Sequence, residues 1–277
     1  MNGLEDSKNG SLGNGAGGDE PHIEVRSLQK AFGDTKVLTD VNMSIGRGHI
    51  AVIIGGSGAG KTTLLRILIG LERPSSGSVI VSGQDIARLN ERELNRMRRK
   101  FGMVFQYSAL LDSMNVMDNV AFPMREHTKL PDKEIRKQVT EKLNSLGLEN
   151  VERRFPSQLS GGMRKRVALA RALMLEPEII MYDEPTSGLD PVTSRMVDDL
   201  VVETRKRFGV TSVIISHDMV GALQIADEIY LLSKGSIVAS GSPSELVHGN
   251  NELLHQFLAS SGVTQMPSVG EKREASD

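Results

Sequence analysis

The chain has 277 residues, with 33 lysines and arginines against 35 aspartates and glutamates, a net charge of −2 and no cysteine. This length is enough for one large α/β domain with a full hydrophobic core. A chain without cysteine has no disulfide framework and no thiol nucleophile, and its balanced charge argues against a nucleic-acid binder, which usually carries a basic face.

The two ends of the chain differ in composition from the rest. Residues 1–20 are rich in glycine, asparagine and serine, which predicts a disordered tail without a signal-peptide core. Residues 263–277 are polar and predict a second flexible tail. We therefore expect one folded domain over residues 21–262. No segment of the sequence approaches the ~18 consecutive apolar residues of a membrane span.

Alternating apolar residues predict the first ordered strands. Ile23 and Val25 alternate with polar neighbours, as do Val41 and Met43, which is typical of strands with one buried face. The segment Ile50–Ile54 is apolar throughout, which is typical of a strand buried on both faces.

A glycine-rich segment follows this buried strand directly. Two glycines, a lysine and a hydroxyl match the loop that cradles nucleotide phosphates, and an apolar helix follows. Backbone N–H groups and the positive end of that helix attract phosphate oxygens, while Lys61 adds a charge and Thr62 offers a hydroxyl to Mg²⁺. An ordinary glycine-rich turn is the alternative. The segment predicts a nucleoside-triphosphate site formed by Gly55, Gly56, Ser57, Gly58, Ala59, Gly60, Lys61, Thr62 and Thr63.

From about residue 107 to 165 the sequence favours helices. Ile135, Val139 and Leu143 are spaced for one face of a helix, and Gly147 is placed to end it.

A second candidate anion site precedes the next helix. Ser160, Gly161 and Gly162 offer a hydroxyl, free backbone N–H groups and a helix dipole. The alternative is a capped helix start without a ligand, which these residue types supply in many proteins.

Two carboxylates close the next buried strand, predicted over residues 178–183. Asp183 ends the strand, where open α/β sheets bind ligands, and its carboxylate suits Mg²⁺. Glu184 points elsewhere because strand side chains alternate, and it is placed to polarise an attacking water. Solvated turn carboxylates are the alternative.

The last third of the chain predicts another buried strand, a hairpin and a short helix. The strand covers residues 212–216 and ends at His217, and the hairpin turns at Lys234-Gly235. Ser242 and Glu245 have the spacing of a capping box.

These motifs together resemble the ATP-binding-cassette family. The resemblance rests on the glycine-rich loop, the element Leu159-Ser160-Gly161-Gly162-Met163 and the Asp183-Glu184 pair, and it covers about residues 22–245. It implies a P-loop NTPase core of the α/β class, with an antiparallel β subdomain and an inserted helical subdomain. It also implies a homodimer in which the signature of one copy closes on ATP held by the glycine-rich loop of the other.

The same resemblance gives roles to four single residues. Gln106 matches the glutamine that contacts Mg²⁺, His217 the switch histidine at the γ-phosphate, Asp190 an aspartate at the dimer interface, and Phe32 the ring that stacks on adenine. The alternatives are polar strand-end caps for Gln106 and His217, a helix N-cap for Asp190 and a core ring for Phe32. Met163 stands where most members carry glutamine, and we expect activity to survive this change.

Within the family, the stretch 122–128, together with Met163 and the segment 106–111, resembles the ATPase of the Mla-type phospholipid transporters. That resemblance implies a separate integral membrane permease, a periplasmic lipid-binding protein of the mammalian-cell-entry (MCE) class, and a peripheral position on the cytoplasmic face of the inner membrane. It places the contact with the permease at residues 122–128, along with the loop after Gln106.

Three other functions remain as alternatives. A non-transport cassette of the translation, repair or structural-maintenance type needs paired cassettes or a long coiled coil, which this sequence does not contain. An iron–sulfur assembly ATPase is also a lone cassette, and an importer of another substrate has the same motifs.

Overall fold

The computed structural model describes residues 20–248. The predicted tail 263–277, nearly all of the predicted tail 1–20 and the last part of the predicted domain lie outside the described residues.

The described residues form a ten-stranded mixed sheet in the order β5-β4-β1-β2-β10-β9-β3-β8-β7-β6. Strands β1, β2, β4 and β5 pair antiparallel, whereas β3, β6, β7 and β8 run parallel. The strands are β1 Ile23–Phe32, β2 Thr35–Ile45, β3 Ile50–Ile54, β4 Ser76–Val81, β5 Gln84–Asp85, β6 Phe101–Val104, β7 Ile179–Asp183, β8 Thr211–Ser216, β9 Glu228–Ser233 and β10 Ser236–Gly241.

Strand β3 lies at the centre of the hydrophobic core. Ile50, Val52 and Ile54 join the cluster on one side of the sheet, and Ala51 and Ile53 join the cluster on the other. All five residues are buried, so the prediction of a strand covered on both faces is confirmed.

Eight α-helices accompany the sheet in the described part of the chain. Helices α3 and α4 lie between β6 and β7 and pack on each other and on α5, in the region of the predicted helical subdomain. The predicted fold class is confirmed. The helices are α1 Lys61–Leu68, α2 Glu91–Arg98, α3 Val116–His127, α4 Asp132–Ser145, α5 Gly161–Ala172, α6 Pro191–Phe208, α7 Met219–Ile225 and α8 Pro243–His248.

Several local predictions are also confirmed. Gly147 follows α4 with a φ of 68°, and β9 and β10 form the hairpin around Lys234-Gly235. Before α8, Ser242 and Glu245 exchange capping-box hydrogen bonds of 2.8 and 3.3 Å. Within residues 20–248, none of the helices combines the length and apolar character that crossing a membrane requires.

Candidate nucleotide site

The predicted phosphate loop, residues 55–62, joins β3 to α1. Gly60 precedes α1 with a φ of 107° and has no side chain to cap the helix. The first N–H groups of α1 therefore remain available as hydrogen-bond donors. A side chain at Gly55 would place its Cβ 2.3 Å from the carbonyl oxygen of Leu232. Glycine therefore lets the loop run close against β9.

Lys61 connects this loop to the end of β7. Its Nζ donates to the carbonyl oxygens of Gly55, at 2.7 Å, and Gly56, at 3.2 Å, and lies 3.7 Å from Oε1 of Glu184. The predicted phosphate-binding cation and the predicted catalytic carboxylate are thus neighbours.

The charges at the end of β7 suit a cation. Burial raises the pKa of Asp183, the adjacent Glu184 charge raises it further, and Lys61 and Arg66 oppose this effect. A divalent ion beside Asp183 would relieve this repulsion. Residues 20–248 contain no group of three or more His, Cys, Asp and Glu that could hold a metal ion by themselves. The carboxylate of Asp183 fits Mg²⁺, which takes one or two carboxylates from a protein and completes its shell with phosphate oxygens and water.

Glu184 is held in an unusual backbone conformation. Its φ is 49°, a region that non-glycine residues seldom adopt, and its N–H donates to the carbonyl oxygen of Ile215 at 2.9 Å. Nδ1 of His217 lies 2.6 Å from Oε2 of Glu184. The strand-end histidine therefore orients the carboxylate directly. Such backbone strain costs about 1–3 kcal/mol and is found most often at functional sites.

Gln106 is linked to Glu184 through Ser187. Its Nε2 donates to Oγ of Ser187 at 3.1 Å, and the N–H of Ser187 donates to the carbonyl oxygen of Glu184 at 3.2 Å. Sequence reasoning gave Ser187 no role, because its partner lies 81 residues earlier in the chain.

Asp190 begins α6, as its helix-cap alternative predicts. Its carboxylate accepts hydrogen bonds from the N–H groups of Val192 and Thr193, at 3.0 and 3.1 Å. Capping the helix does not conflict with the predicted role of Asp190 at the dimer interface, because the residue is exposed.

Phe32 lies on the surface at the end of β1. Its ring is 49% exposed, so the core-ring alternative is wrong. Lys30 Nζ lies 4.6 Å from the ring centroid. The partner strand β2 approaches the phosphate loop, since a Cβ on Gly60 would lie 2.7 Å from Leu38 Cδ2.

The predicted signature lies apart from the phosphate loop. Ser160 caps α5, and its Oγ accepts from the N–H of Met163 at 3.3 Å. Ser160, Gly162 and Met163 line a cavity of about 290 Å³ whose described lining contains no phosphate-loop residue. In the described residues of one copy, the cavity beside the signature therefore shares no lining residue with the phosphate loop.

Lys165, which sequence reasoning missed, contacts the predicted metal ligand Gln106. The residue is 8% exposed, and its Nζ donates to the main-chain oxygen of Gln106. It stands between Arg164 and Arg166, so its local sequence resembles a solvated basic run. Only its position on α5 buries it.

A pair of carboxylates lies behind the His217 loop. Asp218 caps α7 through the N–H of Gly221, and the Oδ2 atoms of Asp198 and Asp218 each lie 3.0 Å from the position that a Cβ on Gly221 would take. Burial raises the pKa of Asp198 from 3.8 to about 7, the charges of Asp218 and Asp199 add to this, and Arg195 opposes it.

This raised pKa predicts a pH-dependent stability. Between pH 4 and 7 folded Asp198 keeps a proton that the unfolded chain has released, so its contribution to the free energy of unfolding falls by up to about 1.4 kcal/mol per pH unit as the pH rises. Asp198→Asn should remove this slope. Melting curves at pH 5 and 8 should show the variant gaining on the wild type at the higher pH. Glu203→Gln, at an exposed position on the same helix, serves as control. Parallel pH profiles for wild type and Asp198→Asn would contradict the assignment.

Comparison with known proteins places these features in one family. The family model described as "ABC transporter" matches residues 38–187, which include the phosphate loop, Gln106, the signature and the Asp183-Glu184 pair. The phospholipid transport ATP-binding protein MlaF of Haemophilus influenzae is 41% identical over 85% of this chain and 89% of its own length. A probable ribonucleotide transport ATP-binding protein, mkl, of Mycobacterium bovis is 42% identical over 91% of this chain and 70% of its own length.

Solved structures agree with this placement. CbiO1 of Clostridium perfringens, part of an ABC transporter complex, superimposes with a TM-score of 0.77 at 32% identity, covering 87% of this chain and 96% of its own. The dimeric cassette MJ0796, bound to ADP and Pi, gives a TM-score of 0.70 at 32% identity, covering 80% and 98%. The chain belongs to the ABC transporter family and is one of its ATP-binding, ATP-hydrolysing subunits.

Proposed function

We propose that this ATPase powers phospholipid transport between membranes, together with a separate integral membrane permease. The observation that carries the proposal is the 41% identity to MlaF, an intermembrane phospholipid transport ATP-binding protein, over most of both chains. The relative mkl is named for ribonucleotide transport, so the transported molecule has to be identified by experiment.

The geometry supports a division of labour within the ATP site. Lys61 and the amides of residues 55–63 bind the phosphates, and Phe32 stacks on adenine. Glu184 takes a proton from the attacking water, and His217 keeps the carboxylate aimed at it and contacts the γ-phosphate. The residues that would hold Mg²⁺ are Thr62, Gln106 and Asp183. When bound, the ion neutralises phosphate charge.

Two copies complete each site in this proposal. Ser160, Gly161 and Gly162 of one copy bind the γ-phosphate held by the loop of the other, and Asp190 lies at the interface. The separation of the two anion sites within one chain supports this arrangement, as does the dimeric state named for MJ0796. Val192 and Met196, on the first turns of α6, are 72% and 53% exposed and supply apolar area for the contact.

An apolar groove offers a surface for the permease. It has a volume of about 420 Å³ and lies between the sheet edge and α3, with Phe105, Leu111, Phe122 and Pro123 in its lining. Such a groove suits the apolar face of a short helix from a partner.

Arg125 is not free to make this contact. Its guanidinium pairs with Asp118 and Asp132, both at 2.9 Å, and ties α3 to α4. Of the stretch 122–128, Phe122 and Pro123 are the residues that line the groove.

The position of the protein follows from this partner. A permease in the inner membrane would hold the ATPase peripherally on the cytoplasmic face. The lipid would pass to a periplasmic MCE-type protein on the opposite side.

Affinity purification from native membranes tests the proposal. The tagged chain should bring down one integral membrane protein and bound phospholipid, identified by mass spectrometry. Phe122→Asp should remove both, because it puts a charge into the groove. Phe155→Asp is the matched control, since both rings are 42% exposed and Phe155 lies before the signature. Both variants should keep their melting temperature.

Other outcomes would redirect the proposal. A permease recovered with nucleotides and without lipid would favour a cargo like that named for mkl. A cysteine-rich scaffold protein without any membrane partner would favour iron–sulfur assembly. Equal recovery with Phe122→Asp and with the control would remove the groove from the contact.

A further inference from the structure

The loop between β6 and α3, residues 105–115, carries Gln106 at one end and lines the apolar groove farther along. Ser108 and Ala109 have φ values of 63° and 44°. Two consecutive residues in this region do not form a regular element, so the loop needs side chains from its neighbours to fix its path.

Helix α5 supplies two of these side chains. Lys165 donates to the main-chain oxygen of Gln106, and Arg171 donates to those of Ser108, at 3.0 Å, and Ala109, at 2.6 Å. The signature helix thus holds three of four successive carbonyls at the start of the loop.

Helix α3 holds the other half. Asn119 is fully buried, accepts a hydrogen bond from the N–H of Leu111 at 2.8 Å, and donates to the carbonyl oxygens of Leu111 and Met114, both at 3.0 Å. The loop is therefore bound to the helical layer at both ends.

Lys165 is the unusual member of this set. Its side chain is buried, and within residues 20–248 it makes no ion pair with any carboxylate. Burying an ammonium group against a single carbonyl costs stability. An apolar residue would pack α5 at lower cost, so packing alone does not account for a lysine here.

We propose that Lys165 is a positioning residue for Gln106. It fixes the main chain of Gln106 to the signature helix, so that the glutamine side chain faces Ser187 and the end of β7. A movement of α5 or of the groove residues would then shift the main chain of Gln106 through its hydrogen bond with Lys165. The inference rests on the proposed role of Gln106 as a metal ligand.

Two measurements on Lys165→Met test it. Hydrogen–deuterium exchange of a peptide covering residues 105–112 should be faster by about tenfold, because a hydrogen bond from a charged donor is lost. The Mg²⁺ concentration for half-maximal binding of a fluorescent ATP analogue should rise several-fold. Affinity for the same analogue in excess Mg²⁺ should stay within about twofold.

Conservative and matched variants separate positioning from packing. Lys165→Arg keeps a charged donor and should restore both readouts. Lys142→Met removes a half-buried lysine on α4 that lies over the Phe208 ring, and it should leave exchange in residues 105–112 unchanged. If Lys165→Met does not fold, Lys165→Gln keeps a neutral donor and should give an intermediate exchange rate.

The Gln106→Ala variant distinguishes the two possible failures. If it leaves the Mg²⁺ requirement unchanged, the proposed role of Gln106 is wrong, and with it the metal-related part of the inference. If Gln106→Ala raises the requirement and Lys165→Met does not, the positioning role is overturned. Unchanged exchange of residues 105–112 in Lys165→Met also overturns it.

Discussion

Glu184→Gln is expected to stop ATP turnover while nucleotide binding persists. The change preserves the shape of the side chain but removes the charge that accepts a proton from water, an effect worth about 10²–10⁴-fold in rate. It also weakens the contact with His217, whose Nδ1 lies 2.6 Å from the carboxylate. Phosphate release and binding of a fluorescent ATP analogue measure the two effects separately.

The same variant should reveal the dimer. Because ATP is no longer cleaved, it remains between the loop of one copy and the signature of the other and holds two chains together. Sedimentation of Glu184→Gln with Mg-ATP should show a dimer at micromolar protein. Glu203→Gln, at an exposed position on α6, should behave as wild type. A variant that stays monomeric under these conditions would count against the two-copy site.

Lys61→Ala is expected to reduce turnover by about 10²-fold or more, since removal of a single preorganised donor to developing charge has effects of this size. The folded structure should persist, because the lysine bonds only to carbonyls of its own loop, at Gly55 and Gly56, and lies 3.7 Å from Glu184. The exposed Lys36 on β2 provides a control, as Lys36→Ala. Near-normal turnover of Lys61→Ala with an unchanged melting temperature would overturn the phosphate assignment.

Local patterns explain which parts of the site the sequence predicts. The segment 55–62 and the Asp183-Glu184 pair follow buried strands directly, so the residues that place them are their neighbours in the chain. The β9–β10 hairpin is predictable for the same reason. The family roles of Gln106 and His217 came from resemblance, and the structure adds their contacts with Ser187 and Glu184.

Contacts between segments that lie far apart in the chain cannot be predicted from local patterns. Lys165 meets Gln106 across 59 residues, and nothing in the sequence around Lys165 predicts its burial. Arg125 is an exposed charge, and the local sequence does not specify its pairing with Asp118 and Asp132, each seven residues away. The order β3-β8-β7-β6 likewise joins strands from separate parts of the chain, which no local pattern specifies.

The left-handed backbone of Glu184 has a consequence for selection. Glycine adopts a φ of 49° without strain and asparagine with little, so either replacement would release part of the stored energy. A screen of random variants for heat resistance alone should therefore recover Glu184→Gly or Glu184→Asn among its winners, and these would be inactive. Variants of this protein selected for robustness need a simultaneous assay of turnover, because the strained position is the one to which we assign the reaction.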